Sequence, residues 1–289
     1  RTSCRSPNLQ NLPRKGGIRE CLRPRAGHVY ISADYATIEL ACLAQVLLQR
    51  YGYSPMAQAL KAGRDLHIET ASKILGITYA DALARYKAGE PSLKEARTLA
   101  KAANFGYPGG CSPQKFRTLA QGYGLDLTES EAYGLKVQWL AAYPEMEMYF
   151  KDISILVSGG NTQLTHPLTG FVRGGLGYCD SANHYFQHLC AHGSKAALYA
   201  VQRECWLDER SALYGTRPIA FVHDEIVCES PRDKASEAAV RLGQVMEQEM
   251  ARFVTDVPVS AEPCVMEIWS KDAKAVYDAS GKLTPWSPS

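Results

Sequence analysis

The chain has 289 residues, 46% hydrophobic and 21% charged, enough apolar material for one large or two smaller buried cores and too much for a disordered polypeptide. A formal net charge of +2 is too small for indiscriminate polyanion binding, so any nucleic-acid surface has to come from local clustering. Nine cysteines without a Cys-x-x-Cys pair suit neither a disulfide framework nor structural zinc and point to a reducing compartment, and no apolar run approaches the ~18 residues of a membrane span.

Charge clusters at the start of the chain, where Arg1, Arg5, Arg14, Lys15, Arg19, Arg23 and Arg25 are opposed only by Glu20. Such an arm is either an ordinary solvated segment or a surface for an acidic partner. Turn formers at Pro13, Gly16 and Gly17 are followed by a strand over His28 to Ala33, with Asp34 closing it. Apolar residues then recur at helical spacing from Ile38 to Leu48. Residues 55–160 read as helices broken at Gly76, Pro91, Pro108-Gly109-Gly110, Gly122, Gly124 and Pro144. A hairpin is predicted around Thr162 to Tyr178 and a long amphipathic helix over Ser181 to Trp206. Pro218 to Glu229 is apolar on both sides of His223-Asp224, which predicts a tight hairpin with the acid at its turn and the Asp34 strand as its neighbour. A helix over Asp233 to Phe253 and a strand over Val257 to Glu267 complete the pattern. Strands that meet again late in the chain, with helices inserted between them, describe an α/β body of the α+β kind: an antiparallel sheet with packed helices, and an all-helical lobe.

Three segments carry chemistry. Arg97, Lys101 and Phe105 recur every fourth residue in a helix-favouring run, so one face presents two cations and then a ring, as a nucleoside triphosphate requires. His67, in Asp65-Leu-His67, adds a second donor for phosphate. Asp34 and Asp224 each stand at the edge of an apolar strand-like stretch, and two carboxylates with substrate phosphate and water suffice for Mg²⁺. Taken singly, an aspartate there is a turn former or helix cap, and the helix is an ordinary basic helix with a core phenylalanine. Taken together, the segments point to nucleotide polymerisation.

Asp-Tyr-x-x-Ile-Glu-Leu at 34–40, Arg-x-x-x-Lys-x-x-x-Phe-Gly at 97–106 and Val-His-Asp-Glu at 222–225 resemble the three polymerase motifs of family A DNA polymerases. The resemblance extends to Pro7-Asn-Leu-Gln-Asn-Leu-Pro13, to Asp65-x-His67-x-Glu69-Thr-Ala and to Gln187. It implies a palm from residues 1–50 and 179–289, with fingers at 51–178. Asp34 and Asp224 would hold two Mg²⁺ ions with the Tyr35 main-chain carbonyl, and Glu225 would lie nearby. Arg97, Lys101 and His67 would hold the triphosphate, with Lys101 also giving a proton to departing pyrophosphate, and Phe105 would stack on the incoming base and discriminate against dideoxynucleotides. Glu39 would be the steric gate against a ribose 2′-hydroxyl. Arg1, Asn8, Gln10, Asn11, Asn183, Gln187 and His223 would donate to the minor-groove acceptors common to all base pairs, as a reader of every sequence must.

The implied activity is template-directed DNA polymerisation, with primer-template DNA and deoxynucleoside triphosphates as partners, in a bacterial or phage-infected cytoplasm. Arginine at residue 1, inside a DNA-contacting motif, reads as a piece of something longer, so a cleaved or separate N-terminal thumb and exonuclease-like polypeptide is a further expected partner. A metal-dependent nuclease could use the same acids but leaves Glu39 and Phe105 without a job. Two positions depart from the family pattern. Pro108-Gly109-Gly110 stands where a Tyr-Gly pair normally guards the templating base, so that ring is absent or supplied by Tyr107, and Pro108 should stop the helix early. Ala41 replaces a common arginine.

Overall fold

The computed structural model describes residues 8–13, 17–160 and 162–288; Arg1, Arg5, Arg14 and Lys15 of the basic arm lie outside them. In chain order, strand β1 (His28–Tyr35) leads into α1 (Ile38–Tyr51). Helices α2 (Pro55–Lys61), α3 (Leu66–Leu75), α4 (Tyr79–Lys87), α5 (Pro91–Gly106), α6 (Pro113–Gln121), α7 (Glu129–Ala142) and α8 (Glu145–Val157) follow. Hairpin β2 (Thr162–Thr165) and β3 (Val172–Leu176) precedes the long α9 (Tyr178–Leu207). Then come β4 (Arg217–Val222), β5 (Glu225–Pro231), α10 (Ala235–Ala251), β6 (Ala261–Met266) and the short pair β7 (Val276–Tyr277) and β8 (Leu283–Thr284). The fold is α+β, as the alternation of patterns predicts.

The chain forms two compact units: Arg1–Ile38 with Leu189–Thr255 and Val259–Ser289, and Glu39–His188 with Asp256–Pro258. Two of the divisions fall inside α1 and α9, and the other two in the loop between α10 and β6.

The first unit is built on an antiparallel sheet in the order β4-β5-β1-β6. Successive side chains of a strand point to opposite faces, and β1 buries both. Val29, Ile31 and Ala33 are wholly buried on one face, while Tyr30 on the other joins Val222, Val227, Met266 and Trp269 in an apolar cluster. Helix α10 packs on β1 and β6 with Ala238, Ala239, Leu242, Val245, Met246 and Met250, whose spacing makes one continuous apolar stripe. The Tyr35 hydroxyl donates to Met246 O at 2.7 Å, satisfying the one polar atom that this ring takes inside.

The second unit is helical, and its helix starts follow capping chemistry. Ser54, Thr78, Ser112 and Thr128 each accept a backbone N–H from the first turn of α2, α4, α6 and α7, with Pro55 and Pro113 at first helical positions and Glu131 closing a capping box. Its interior is aromatic: Tyr107 stacks on Phe116 at 4.4 Å, and Trp139 meets Tyr107 at 5.7 Å and Tyr143 at 5.5 Å. A fully buried ring of this size removes roughly 150–250 Å² from water, so this cluster is a large apolar contribution where the ends of α5 and α7 meet α6.

Helices α9 and α10 begin and end within three residues of the sequence pattern, and three other places differ in ways that bear on the site. Asp34 lies inside β1 rather than closing it, because β6 pairs as far as Tyr35 with Ala261. The last sheet strand begins at Ala261, not Val257. Helix α5 does end at Gly106, yet Tyr107 keeps helical angles, φ −68° and ψ −35°, because a 3₁₀ turn closes from Gly110 N–H to Tyr107 O.

Candidate active site

In the sheet unit, β1 and β5 pair so that Asp34 stands opposite Glu225. Asp224 is the preceding residue, in the two-residue turn between β4 and β5, and Val222 pairs with Glu225 across that turn. The hairpin therefore delivers Asp224 and Glu225 to the sheet end that holds Asp34. Residue 223 has φ +60°, a left-handed conformation uncommon for a side chain other than glycine, and it costs about 1 kcal/mol or more. Its ring is held in turn: His223 Nε2–H donates to Asn11 Oδ1 at 3.2 Å. Gln10 Nε2 donates to Phe221 O at 3.3 Å, which fixes the segment Leu9–Asn11 beside the same hairpin. Asn8 is exposed at the start of that segment.

Lys271 was not singled out by any sequence pattern, yet its Nζ lies 2.5 Å from Glu225 Oε2 and 3.6 Å from Asp34 Oδ2. Burial raises the Asp34 carboxyl above the ordinary aspartate range; Lys271 opposes that shift, and Glu225 and Glu262 add to it by repulsion. An acid corner that already draws in an ammonium group is one that a divalent cation would also suit. Among the described residues no three His, Cys, Asp or Glu side chains are grouped as a metal cage. Mg²⁺ needs no such cage, since one or two carboxylates with substrate oxygens and water suffice, and the hard oxygens of Asp34 and Asp224 fit it. Beside the corner, a pocket of about 280 Å³ is lined by Gln10, Asn11, Arg19, His223 and Lys271 among others.

In the helical unit, α3 packs on α5 and brings three of the predicted phosphate and base contacts into one network. Asp65 caps α3, accepting from His67 N at 2.7 Å and Ile68 N at 3.2 Å. Its other oxygen accepts from Arg97 Nη2 at 2.7 Å and Nε at 3.3 Å. Burial alone would raise the Asp65 carboxyl, but the Arg97 guanidinium and those two amides hold it below the usual range. The guanidinium also lies 5.1 Å from the Tyr86 ring centroid. His67 is 3% exposed, with its ring 5.7 Å from that of Phe105. Burial lowers the His67 imidazole to about 4, with Arg97 and Lys101 adding to the fall and Asp65 opposing it, so Lys101 acts on the same ring electrostatically. Lys101 itself is exposed and Phe105 is 38% exposed, both open to a ligand.

Glu39 sits in the first turn of α1 and is half-buried. Asn183 and Gln187 are one turn apart on α9, both half-buried, and Asn183 Nδ2 donates to Cys179 O at 2.8 Å. Tyr107 presents no ring to solvent: it is 0% exposed, and its hydroxyl donates to Ala132 O at 2.8 Å. Gly109 and Gly110 instead make room for α9, since a Cβ on them would lie 2.5 Å from Asn183 Nδ2 and 2.5 Å from Tyr178 Cε1 respectively.

The sequence pattern that defines DNA polymerase family A matches residues 1–165. DNA polymerase I of Aquifex aeolicus is 28% identical over 274 residues, 94% of this chain and 44% of that protein. DNA polymerase I of Deinococcus radiodurans is 30% identical over 262 residues, 86% of this chain and 25% of that protein. Among solved structures, the POL domain of Pol1 from M. smegmatis, in complex with DNA primer-template and dNTP, has a TM-score of 0.69 at 23% identity, covering 92% of this chain and 45% of that one. This likeness is one of fold. The chain spans less than half the length of these relatives.

Proposed function

The chain belongs to DNA polymerase family A, and we propose that it catalyses template-directed addition of deoxynucleotides to a primer 3′-hydroxyl, as a DNA-directed DNA polymerase. The observation that carries the reading is the register that sets Asp34 opposite Glu225 with Asp224 next to it in the turn. Residues 1–50 and 179–289 would then be the palm and 51–178 the fingers.

Two Mg²⁺ ions held by Asp34, Asp224 and the Tyr35 main-chain carbonyl would supply activation of the attacking hydroxyl and neutralisation of the leaving pyrophosphate. The protein's share is positioning. Arg97 and Lys101 contribute fixed positive charge to the triphosphate, and His67 a neutral N–H donor. Lys101 also donates a proton to pyrophosphate as it leaves. Phe105 offers its exposed ring to the incoming base, and Glu39 fills the volume a 2′-hydroxyl would need. Arg1, Asn8, Gln10, Asn11, Asn183, Gln187 and His223 serve as minor-groove donors to primer-template DNA. A thumb and exonuclease-like polypeptide would complete the grip on DNA, and the cytoplasm would be the working compartment. Among the described residues no helix is long and apolar enough to cross a membrane.

Primer extension with Mg²⁺ and all four deoxynucleotides tests this reading, comparing the chain with its Asp224→Ala variant in the presence of the N-terminal portion. Extension dictated by the template and lost on substitution is the expected result. Primer shortening without added nucleotides would assign the acids to a nuclease instead, and no extension by either protein would end the polymerase reading.

A further inference from the structure

His67 has two ring nitrogens, and what each can do depends on which carries the proton. Nδ1 lies 3.1 Å from Asn104 Nδ2. Asn104 is 1% exposed, and the orientation of its amide is fixed from two sides. Trp139 Nε1–H, which can only donate, reaches Asn104 Oδ1 at 2.9 Å, and Leu66 O, which can only accept, is 3.2 Å from Asn104 Nδ2. The atom facing His67 is therefore the amide nitrogen, a donor. Asn104 Nδ2 is also 3.0 Å from Thr70 Oγ1, so its two hydrogens are shared among Leu66 O, Thr70 Oγ1 and His67 Nδ1. An amide nitrogen cannot accept, so a proton on His67 Nδ1 would point at a donor in a buried site, and that nitrogen is the bare one. Nε2 then carries the hydrogen in the neutral ring. The same clash disfavours the doubly protonated ring, in line with the depression of His67 to about 4.

We infer that Asn104, held by Trp139, is a positioning residue that keeps His67 as the neutral Nε2–H tautomer, so that the ring offers an N–H to an anionic substrate oxygen. Nε2 has no hydrogen-bond partner among the described residues, and it belongs to a ring beside Phe105 whose charged neighbours are Asp65, Arg97 and Lys101, the Asp65 carboxylate being itself paired with Arg97. With a proton on Nδ1 instead, Nε2 would turn a lone pair toward a phosphate oxygen and repel it. The choice of tautomer thus decides whether His67 attracts or rejects the ligand. This role rests on the polymerase reading; the tautomer does not.

The tautomer is read directly from ring ¹⁵N shifts and their couplings to ring carbon-bound protons in the full chain labelled at histidine, with His67 assigned by its loss in His67→Gln. The wild type is expected to show a bare Nδ1 and a protonated Nε2 at pH 7. Asn104→Asp puts an acceptor opposite Nδ1 and should move the proton there, or make the ring doubly protonated. Trp139→Phe keeps the ring packing but frees the amide to turn over, and should yield a mixture of tautomers even if Asn104→Asp does not fold. In primer extension both variants should raise KM for deoxynucleotides by about tenfold, with a smaller change in kcat. A protonated Nδ1 in the wild type, or a tautomer unmoved in both variants, overturns the inference. A shifted tautomer with unchanged KM removes the substrate role while leaving the tautomer assignment intact, and absence of wild-type extension defeats the polymerase reading alone.

Discussion

The Lys271 ammonium lies 2.5 Å from the Glu225 carboxylate, whose side chain is only 6% exposed, and it also reaches Asp34. Removing the cation would leave a nearly buried carboxylate beside a second one. Breaking one half of a fully buried pair costs about 3–5 kcal/mol; with Lys271 partly exposed, Lys271→Met is expected to lower the unfolding free energy by about 2 kcal/mol in a urea titration. Millimolar Mg²⁺ should raise the variant's midpoint more than the wild type's, because a divalent cation then relieves repulsion that the lysine no longer offsets. Equal response of both proteins would show that Lys271 does not set the charge of this corner.

His67 gives stability a pH dependence with a defined sign. Its folded value is about 4 against an ordinary value of 6.5, through burial first and then the charges of Arg97 and Lys101 against that of Asp65. A group depressed in the fold stays neutral there while the unfolded chain takes up its proton. Its contribution is therefore fully present above pH 6.5 and is lost as pH falls toward 4, by an amount on the order of 3 kcal/mol. Urea unfolding at pH 7.5, 5.5 and 4.5 should show this slope in the wild type and a shallower one in His67→Gln. Parallel slopes would mean that other groups carry the acid sensitivity.

The parts of the site legible in sequence were those with a period or a punctuated turn. Apolar runs flanking His223-Asp224 foretold the hairpin, and the predicted pairing with the Asp34 strand is the one observed. The four-residue spacing of Arg97, Lys101 and Phe105 foretold a shared helical face, and α5 runs through all three. Lys271 had no such signal: it follows Glu225 by 46 residues in a polar stretch, and only the β5-β1-β6 order brings it back to the acids. Asn104 was hidden because it lies one residue off the cationic stripe, on the face turned toward Trp139. The burial of Tyr107 was not legible because helix spacing does not say how deep α6 and α7 bury a side chain.

Gly110 combines two restraints that can be separated. Its φ is +72°, and a Cβ there would stand 2.5 Å from Tyr178 Cε1. Gly124 has φ +77° with nothing within 4 Å of its Cβ position. Gly124→Ala should thus cost about 1 kcal/mol from backbone strain alone, and Gly110→Ala about 2–4 kcal/mol, the excess being the overpacking against Tyr178. Denaturation of Gly110→Ala in a Tyr178→Ala background should recover most of that excess. No recovery would show that the Tyr178 contact is not what the second glycine serves.

Glu39 offers the sharpest test of how nucleotide choice would be made. Exclusion works through a clash with the wrong ligand, so it adds nothing to the binding of the right one. Removing it should therefore improve use of the competitor and leave the cognate substrate nearly unchanged. Glu39→Ala is expected to raise kcat/KM for ribonucleotides by about tenfold or more, with the value for deoxynucleotides falling by less than about threefold. Single-nucleotide incorporation with each triphosphate over the same primer-template gives both numbers. Because Glu39 lies in the first turn of α1, its charge also favours the helix start, and loss of that effect is bounded at roughly 1 kcal/mol of stability. Glu39→Gln separates the two contributions: it keeps the volume and loses the charge, so ribonucleotides should remain excluded. A parallel loss of activity toward both sugars in Glu39→Ala would instead make this side chain a positioning group for the site as a whole.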